Sequence, residues 1–220
     1  MNRNYDVCIF DLDGTLIDSL EDLADSCNIA LEVFDLPQHD IDEYRYFVGT
    51  GILNLIKNSM GKQAENLELV QSVYNTFNII YEEKCLNKTI PYHGITEMLG
   101  KLKSGGVKLG VLSNKADPFA KRIVSELFGG DLIDMTFGQQ KGFRRKPEPE
   151  SLYYVIEKLG STPERCLYVG DSGVDVTTAL NAGVDFCGAE WGFRGYDELK
   201  DAGALTIVKS PAAISGIVLS

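Results

Sequence analysis

Asp11-Leu12-Asp13-Gly14-Thr15-Leu16-Ile17-Asp18-Ser19 places two carboxylates at the end of an apolar run and turns the chain directly after them. Paired carboxylates can act as an oxygen nucleophile, as a general acid and base, or as hard ligands for a divalent cation. The preceding run, Tyr5-Asp6-Val7-Cys8-Ile9-Phe10, is short, β-branched and aromatic, which predicts a buried strand ending at Asp11. In an open α/β sheet, ligands collect at the carboxyl ends of the strands. Acids one residue apart on an extended chain point to opposite faces, but Gly14 lets the backbone turn so that both address one small volume.

Three further segments carry residues of matching chemistry. Ser113-Asn114-Lys115 closes the run Val107–Leu112, and Gly170-Asp171-Ser172-Gly173-Val174-Asp175 closes Cys166–Val169. Between them lies Arg145-Lys146-Pro147-Glu148-Pro149. Each has a plain reading when taken alone. Ser113 and Asn114 suit a strand-to-loop transition, Lys141, Arg144, Arg145 and Lys146 a solvated basic loop, and Asp171 and Asp175 an N-cap and a first-turn acid. Taken with Asp11 and Asp13, they converge on one end of one sheet.

The elements that must position these groups follow from the pattern of the chain. From Val107 onward, apolar runs alternate with helical stretches, the later runs being Asp134–Phe137, Cys166–Val169, Val184–Cys187 and Leu205–Val208. Such alternation predicts an α/β fold with a doubly wound parallel sheet. Asp117-Pro118 reads as an N-cap acid with a first-turn proline for a helix to Phe128, and Pro149 opens another helix. Between Asp18 and Asn87 the alternation stops. Leu20, Leu23, Cys27, Ala30, Leu31 and Phe34 recur at helical spacing, as do Val70, Val73, Phe77 and Ile80, with Gly49-Thr50-Gly51 between the two groups. The predicted organisation is an α/β core of residues 1–17 and 88–220, with an all-helical cap at 18–87 covering the crevice.

Asp-x-Asp-Gly-Thr-x-x-Asp-Ser resembles the first motif of the haloacid dehalogenase superfamily, in its phosphatase branch. The three other segments occur in that superfamily's order, and its members commonly carry a helical cap after the first motif. The resemblance implies that Asp11 is the nucleophile that becomes an aspartyl phosphate and that Asp13 is the general acid and base. It also implies that Ser113, with Asn114 beside it, binds the phosphate and that Lys146 neutralises charge on nucleophile and phosphate. Asp11, Asp171 and the backbone carbonyl of Asp13 would surround a metal, while Asp175 would orient water or Lys146. Repulsion between anionic nucleophile and anionic substrate is about 4 kcal/mol for unit charges 4 Å apart at an effective dielectric near 20. Magnesium, bound through few carboxylates plus phosphate oxygens, removes that obstacle.

Dehalogenase members lack the second acid of the first motif, so Asp13 speaks for phosphoryl chemistry. Phosphomutase members carry an arginine shortly after the cap's glycine turn, whereas Gly49-Thr50-Gly51 leads here into Ile52-Leu53. Asp18–Leu23, Arg45-Tyr46-Phe47-Val48-Gly49-Thr50-Gly51 and Trp191-Gly192-Phe193-Arg194-Gly195 are similar to phosphoglycolate phosphatases and near relatives. The expected activity is therefore a magnesium-dependent phosphoric monoester hydrolase acting on a small phosphorylated metabolite. A β-phosphoglucomutase-like phosphomutase, a pyrophosphatase or a non-catalytic phosphate-ester-binding protein are the alternatives. Arg45 either pairs with a substrate carboxylate or lies on a helix surface.

Other classes lack parts. The chain has no P-loop, no dinucleotide-binding glycine fingerprint and no serine elbow. His39 and His93 lie in loop-like sequence and cannot form a histidine-rich zinc site. A net charge of -11 and a pI of about 4.7 make nucleic acid and anionic membranes poor partners. Five scattered cysteines read as buried reduced thiols. No apolar stretch is of membrane-spanning length, and Met1-Asn2-Arg3-Asn4 is not followed by a signal-peptide core. These features place the expected protein in the cytoplasm, and the expected assembly is a monomer or a homodimer.

Overall fold

The computed structural model describes residues 5–220; Met1–Asn4 lie outside the described residues. In chain order, β1 (Val7–Phe10) and β2 (Ile17–Asp18) are followed by α1 (Leu20–Glu32), α2 (Ile41–Phe47), α3 (Ile52–Met60) and α4 (Leu67–Lys84). β3 (Ile90–Pro91), α5 (Ile95–Ser104), β4 (Lys108–Ala116), α6 (Asp117–Phe128), β5 (Met135–Gln139) and α7 (Glu150–Lys158) come next. β6 (Cys166–Gly170), α8 (Gly173–Ala182), β7 (Asp185–Ala189), α9 (Gly195–Asp201), β8 (Ile207–Val208) and α10 (Pro211–Val218) complete the chain.

Six strands form the expected parallel sheet, in the order β5-β4-β1-β6-β7-β8. β1 lies at its centre, between β4 and β6, and all four of its residues are fully buried. A parallel strand covered on both faces must be apolar throughout, which is why Val7-Cys8-Ile9-Phe10 shows no alternation. The chain builds outward from β1 through β4 to β5, then crosses back to place β6 on the other flank. That reversal makes a crevice at the carboxyl ends of β1, β4 and β6.

Two expectations about local structure need correction. β4 does not stop at Leu112 but runs to Ala116, because a register shift lets Ala116 pair with Gln139 of β5. Ser113, Asn114 and Lys115 thus belong to a strand rather than to a loop. Asp117 is not the N-cap of α6; Ala116 is. The Asp117 carboxylate instead accepts the backbone N–H of Gly138 at 3.0 Å and pairs with Lys121 at 2.8 Å.

The segment between β2 and β3 carries the two expected helical groups as α1 and α4, with α2, α3 and a 3₁₀ turn at Gly61–Glu65 between them. Its own core joins Leu23, Cys27 and Leu31 of α1 to Tyr44, Leu55, Ile56, Val73, Phe77 and Tyr81. The chain enters and leaves these helices through an antiparallel ribbon in which Ile17 pairs with Pro91 and Asp18 with Ile90. Strands of two residues carry no periodicity, so sequence patterning does not reveal this ribbon.

Asp22, 2% exposed, fastens the ribbon to α1. Its carboxylate accepts the backbone N–H groups of Lys88 and Thr89, at 3.0 and 2.8 Å, and the Thr89 hydroxyl at 2.7 Å. A buried donor stripped of its acceptor costs about 1–3 kcal/mol. Asp22→Ala is therefore expected to lose about 2–4 kcal/mol of unfolding free energy. Urea denaturation measures this, and a midpoint equal to that of the wild type contradicts the role given to Asp22.

Candidate active site

Asp11 leaves β1 with its backbone N–H still bonded to Val169 of β6, at 2.8 Å, so the sheet itself aims its side chain into the crevice. The chain then reverses. The N–H groups of Thr15, Leu16 and Ile17 all donate to the Leu12 carbonyl, and Gly14 takes φ +85°. That left-handed value suits glycine, and a Cβ at Gly14 would also collide with the Asp171 carboxylate. Gly192 closes the other side, where a Cβ would strike both Asp171 and the Gly14 carbonyl. Held between two glycines, Asp171 accepts the Phe193 N–H at 2.8 Å and the Thr15 hydroxyl at 3.3 Å.

Lys146 bridges two of the acids, with its ammonium 2.8 Å from Asp11 Oδ1 and 2.7 Å from Asp175 Oδ1. It also donates to the Tyr168 hydroxyl at 3.0 Å, which in turn donates to Asp175 at 2.8 Å. The other Asp175 oxygen accepts the Ser172 hydroxyl at 2.6 Å. Both oxygens of Asp175 are thus occupied in orienting Lys146 and in capping α8.

Asn114, expected beside the phosphate, has a different task here. Its oxygen accepts the Lys146 N–H at 3.0 Å, while its NH₂ donates to the carbonyls of Lys146 and Gly49 at 3.2 and 3.0 Å. With its amide fully engaged, it positions the Lys146 loop and ties it to the helical segment. Arg45 takes the helix-surface alternative. It pairs with Asp42 at 3.2 Å on a half-exposed face of α2 and does not line the cavity above Asp11. Arg194 joins core to helices, donating to the carbonyls of Val48 and Tyr46 at 2.8 and 3.3 Å.

Asp13 accepts the Ser19 hydroxyl at 2.5 Å and pairs with Lys115 at 2.8 Å. Lys115 has no assigned role in the sequence reading, yet it is buried and its ammonium stands 4.9 Å from the centre of the Tyr81 ring. Once β4 is known to continue past Ser113, the period of two places Ser113 and Lys115 on one face. The Ser113 hydroxyl accepts the Lys115 N–H at 3.1 Å, which leaves its own proton available to a ligand.

The electrostatics are those of a site short of positive charge. Four carboxylates, Asp11, Asp13, Asp171 and Asp175, meet two ammonium groups, Lys115 and Lys146, in one shielded volume. Burial pushes Asp11 up to about 7, against the pull of Lys146. Burial, then Asp175 and Asp11, raise Asp171 well above the usual carboxylate range. Burial opposes the charge on Lys146, but Asp11 and Asp175 outweigh it and hold the ammonium protonated. One oxygen each of Asp11, Asp171 and Asp175 lie within 4.8 Å of one another. Since Asp175 is taken by protein donors, Asp11 and Asp171 are the carboxylates able to hold a cation. Hard oxygen donors with uncompensated negative charge fit a magnesium ion.

The sign of the Asp11 shift sets a test. Its ordinary value is 3.8 and its folded value about 7, so the folded metal-free protein binds a proton more tightly than the unfolded chain. This group therefore favours the fold at low pH, and that contribution is lost as pH rises toward 7 and above. Magnesium competes with the same proton. The increase in Tm on adding magnesium chloride is expected to be larger at pH 8 than at pH 5.5, read by calorimetry. Equal increments at both pH values contradict a cation held by Asp11.

Residues 8–189 match the family model described as haloacid dehalogenase-like hydrolase. The phosphoglycolate phosphatase of Mannheimia succiniciproducens is 34% identical over 201 residues, covering 88% of this chain and 89% of that protein. That of Aquifex aeolicus is 32% identical, covering 85% of each. The crystal structure of a predicted phosphoglycolate phosphatase from Haemophilus somnus superposes with a TM-score of 0.89 at 31% identity, over 97% of both chains. A Lactobacillus delbrueckii structure reaches 0.92 at 30% identity, over 99% of both. The residues that the first motif brings together at the end of β1, and the chain-length match to these relatives, make the protein a member of the haloacid dehalogenase-like hydrolase family.

Proposed function

We propose that this hydrolase is a magnesium-dependent phosphatase for a small phosphomonoester of the phosphoglycolate type, working through an aspartyl phosphate on Asp11. The observation that carries the reading is the division of labour between the two acids. Asp11 is paired with Lys146 through Oδ1 and leaves Oδ2 without a hydrogen-bond partner among the described residues. Asp13 stands apart from it, with its own cation. One carboxylate is set to attack and the other to handle the proton.

In the first step Asp11 attacks phosphorus, the bond to the ester oxygen breaks, and a protonated Asp13 gives its proton to that oxygen. In the second step Asp13 takes a proton from water, which attacks the same phosphorus, releases inorganic phosphate and restores Asp11. Lys146 offsets charge on nucleophile and phosphoryl group through both steps, and the Ser113 hydroxyl donates to a phosphoryl oxygen. Magnesium, held by Asp11, Asp171 and the Asp13 carbonyl, would supply the remaining positive charge.

The cavity between Asp11 and the helical segment has about 30 Å³ of water-centre volume, room for two or three waters. Its far wall is Leu23, Val48, Gly49, Gly51, Ile52 and Leu55. A substrate enters a space this small when the helical segment, residues 18–87, swings on its ribbon as a cap over the 1–17 and 88–220 core. Closure then excludes water from the first step. The names of the relatives support the substrate class. Five buried free thiols and the absence, among the described residues, of a helix able to cross a membrane support action in the cytoplasm on a soluble metabolite. We assign it to a monomer or homodimer.

Phosphate release from 2-phosphoglycolate, followed with magnesium and after chelation, tests the reading. Asp11→Asn is expected to lose at least about 10³-fold in kcat while still unfolding cooperatively. Wild-type binding without turnover would identify a phosphate-ester-binding protein, and undiminished turnover in Asp11→Asn would exclude the covalent route.

A further inference from the structure

Lys115 is a buried ammonium whose known contacts do not account for it. Burying such a charge is costly unless its donors are met. Its residue is 4% exposed, and Asp13 Oδ1 accepts from its ammonium at 2.8 Å. The Tyr81 ring covers one side at 4.9 Å, with the Tyr81 hydroxyl as a second acceptor within reach. An ammonium carries three donors, so one is still left over. It belongs to a side chain that lines the cavity above Asp11.

The two lysines of the site are not equivalent. Lys146 touches Oδ1 of Asp11, the residue whose carboxylate meets phosphorus, and contacts Asp175 behind it. Lys115 touches Asp13, the acid that must meet the ester oxygen. Whatever is attached to that oxygen therefore lies beside Lys115. Beyond Asp11, Asp13 and the polar end of β4 the cavity is lined by apolar groups such as Leu23, Ile52 and Leu55, and among its lining residues Lys115 is the one cation. A neutral alcohol could accept a hydrogen bond there, but while Asp13 carries the proton meant for the ester oxygen it would leave the buried ammonium without a counterion. A carboxylate one carbon beyond the ester carbon fits both the charge and the small volume.

We propose that Lys115 sets the substrate class of this site, receiving through its ammonium the carboxylate of a short 2-phosphooxy acid whose ester oxygen rests on Asp13. The proposal rests on the phosphatase reading above. Discrimination then arises from a buried charged group that only a carboxylate-bearing substrate satisfies, the situation in which a site rejects an analogue most strongly.

The test compares kcat/KM for 2-phosphoglycolate with that for ethyl phosphate, which has the same carbon count and no carboxylate. The wild type is expected to prefer 2-phosphoglycolate by at least about 100-fold. In Lys115→Met the preference falls to within about tenfold, and in Lys115→Arg most of it returns. Equal losses for the two substrates in Lys115→Met would overturn the proposal, since Lys115 would then act through Asp13 alone. A wild type that hydrolyses both esters equally well would overturn it too, while leaving the phosphatase reading intact. A wild type that hydrolyses no phosphate ester would instead remove that reading. Should Lys115→Met fail to fold, product inhibition of wild-type ethyl phosphate hydrolysis decides the matter. Glycolate is expected to inhibit at concentrations where glycolamide does not, and equal inhibition by both contradicts the role of Lys115.

Discussion

Everything in this structure follows from the need to hold four carboxylates together, out of water, at one end of a sheet. Isolated, each would take up a proton or open to solvent, because a buried unpaired charge costs several kcal/mol. Here backbone donors, hydroxyls and two lysines meet most of their oxygens, and the positive charge still missing is what the proposed magnesium ion would supply. The parallel sheet makes the assembly possible. β1, β4 and β6 bring Asp11, Ser113 with Lys115, and Asp171 to one edge from distant parts of the chain.

Rigid backing turns that cluster into a site. Gly14 and Gly192 press on Asp171, Gly170 presses on Asp175, and Asn114 fixes both backbone groups of Lys146. At each of these glycines a Cβ would collide with the carboxylate beside it. The same parts also serve the helical segment, since Asn114 reaches Gly49 and Arg194 reaches Val48. The position of the helices over the crevice is thereby read by the residues that hold Lys146 and Asp171.

Much of this was legible in the sequence, and the reasons are physical. The buried strands show as apolar runs, the acids at their ends show as motif residues, and the interruption of α/β alternation marks the helical segment. What escaped detection depended on contacts rather than on pattern. The ribbon of Ile17–Asp18 with Ile90–Pro91 is too short for any periodicity. Lys115 carried no role in the sequence pattern because β4 continues past Ser113 only by virtue of a register shift with β5. Asn114 has the right chemistry for phosphate, yet its amide is spent on Lys146 and Gly49. Arg45 could equally have turned inward, and the choice was made by Asp42 on the same helix.

The central claim is that the carboxylate burial at the end of β1 makes Asp11 a nucleophile toward phosphorus and leaves proton transfer to Asp13. The stereochemical course at phosphorus tests it most directly, using a phosphorothioate ester made chiral with oxygen isotopes, hydrolysed in isotopically labelled water, and analysing the released thiophosphate. Two successive displacements, first by Asp11 and then by water, predict retention of configuration. Inversion, the signature of direct attack by water, would contradict the account.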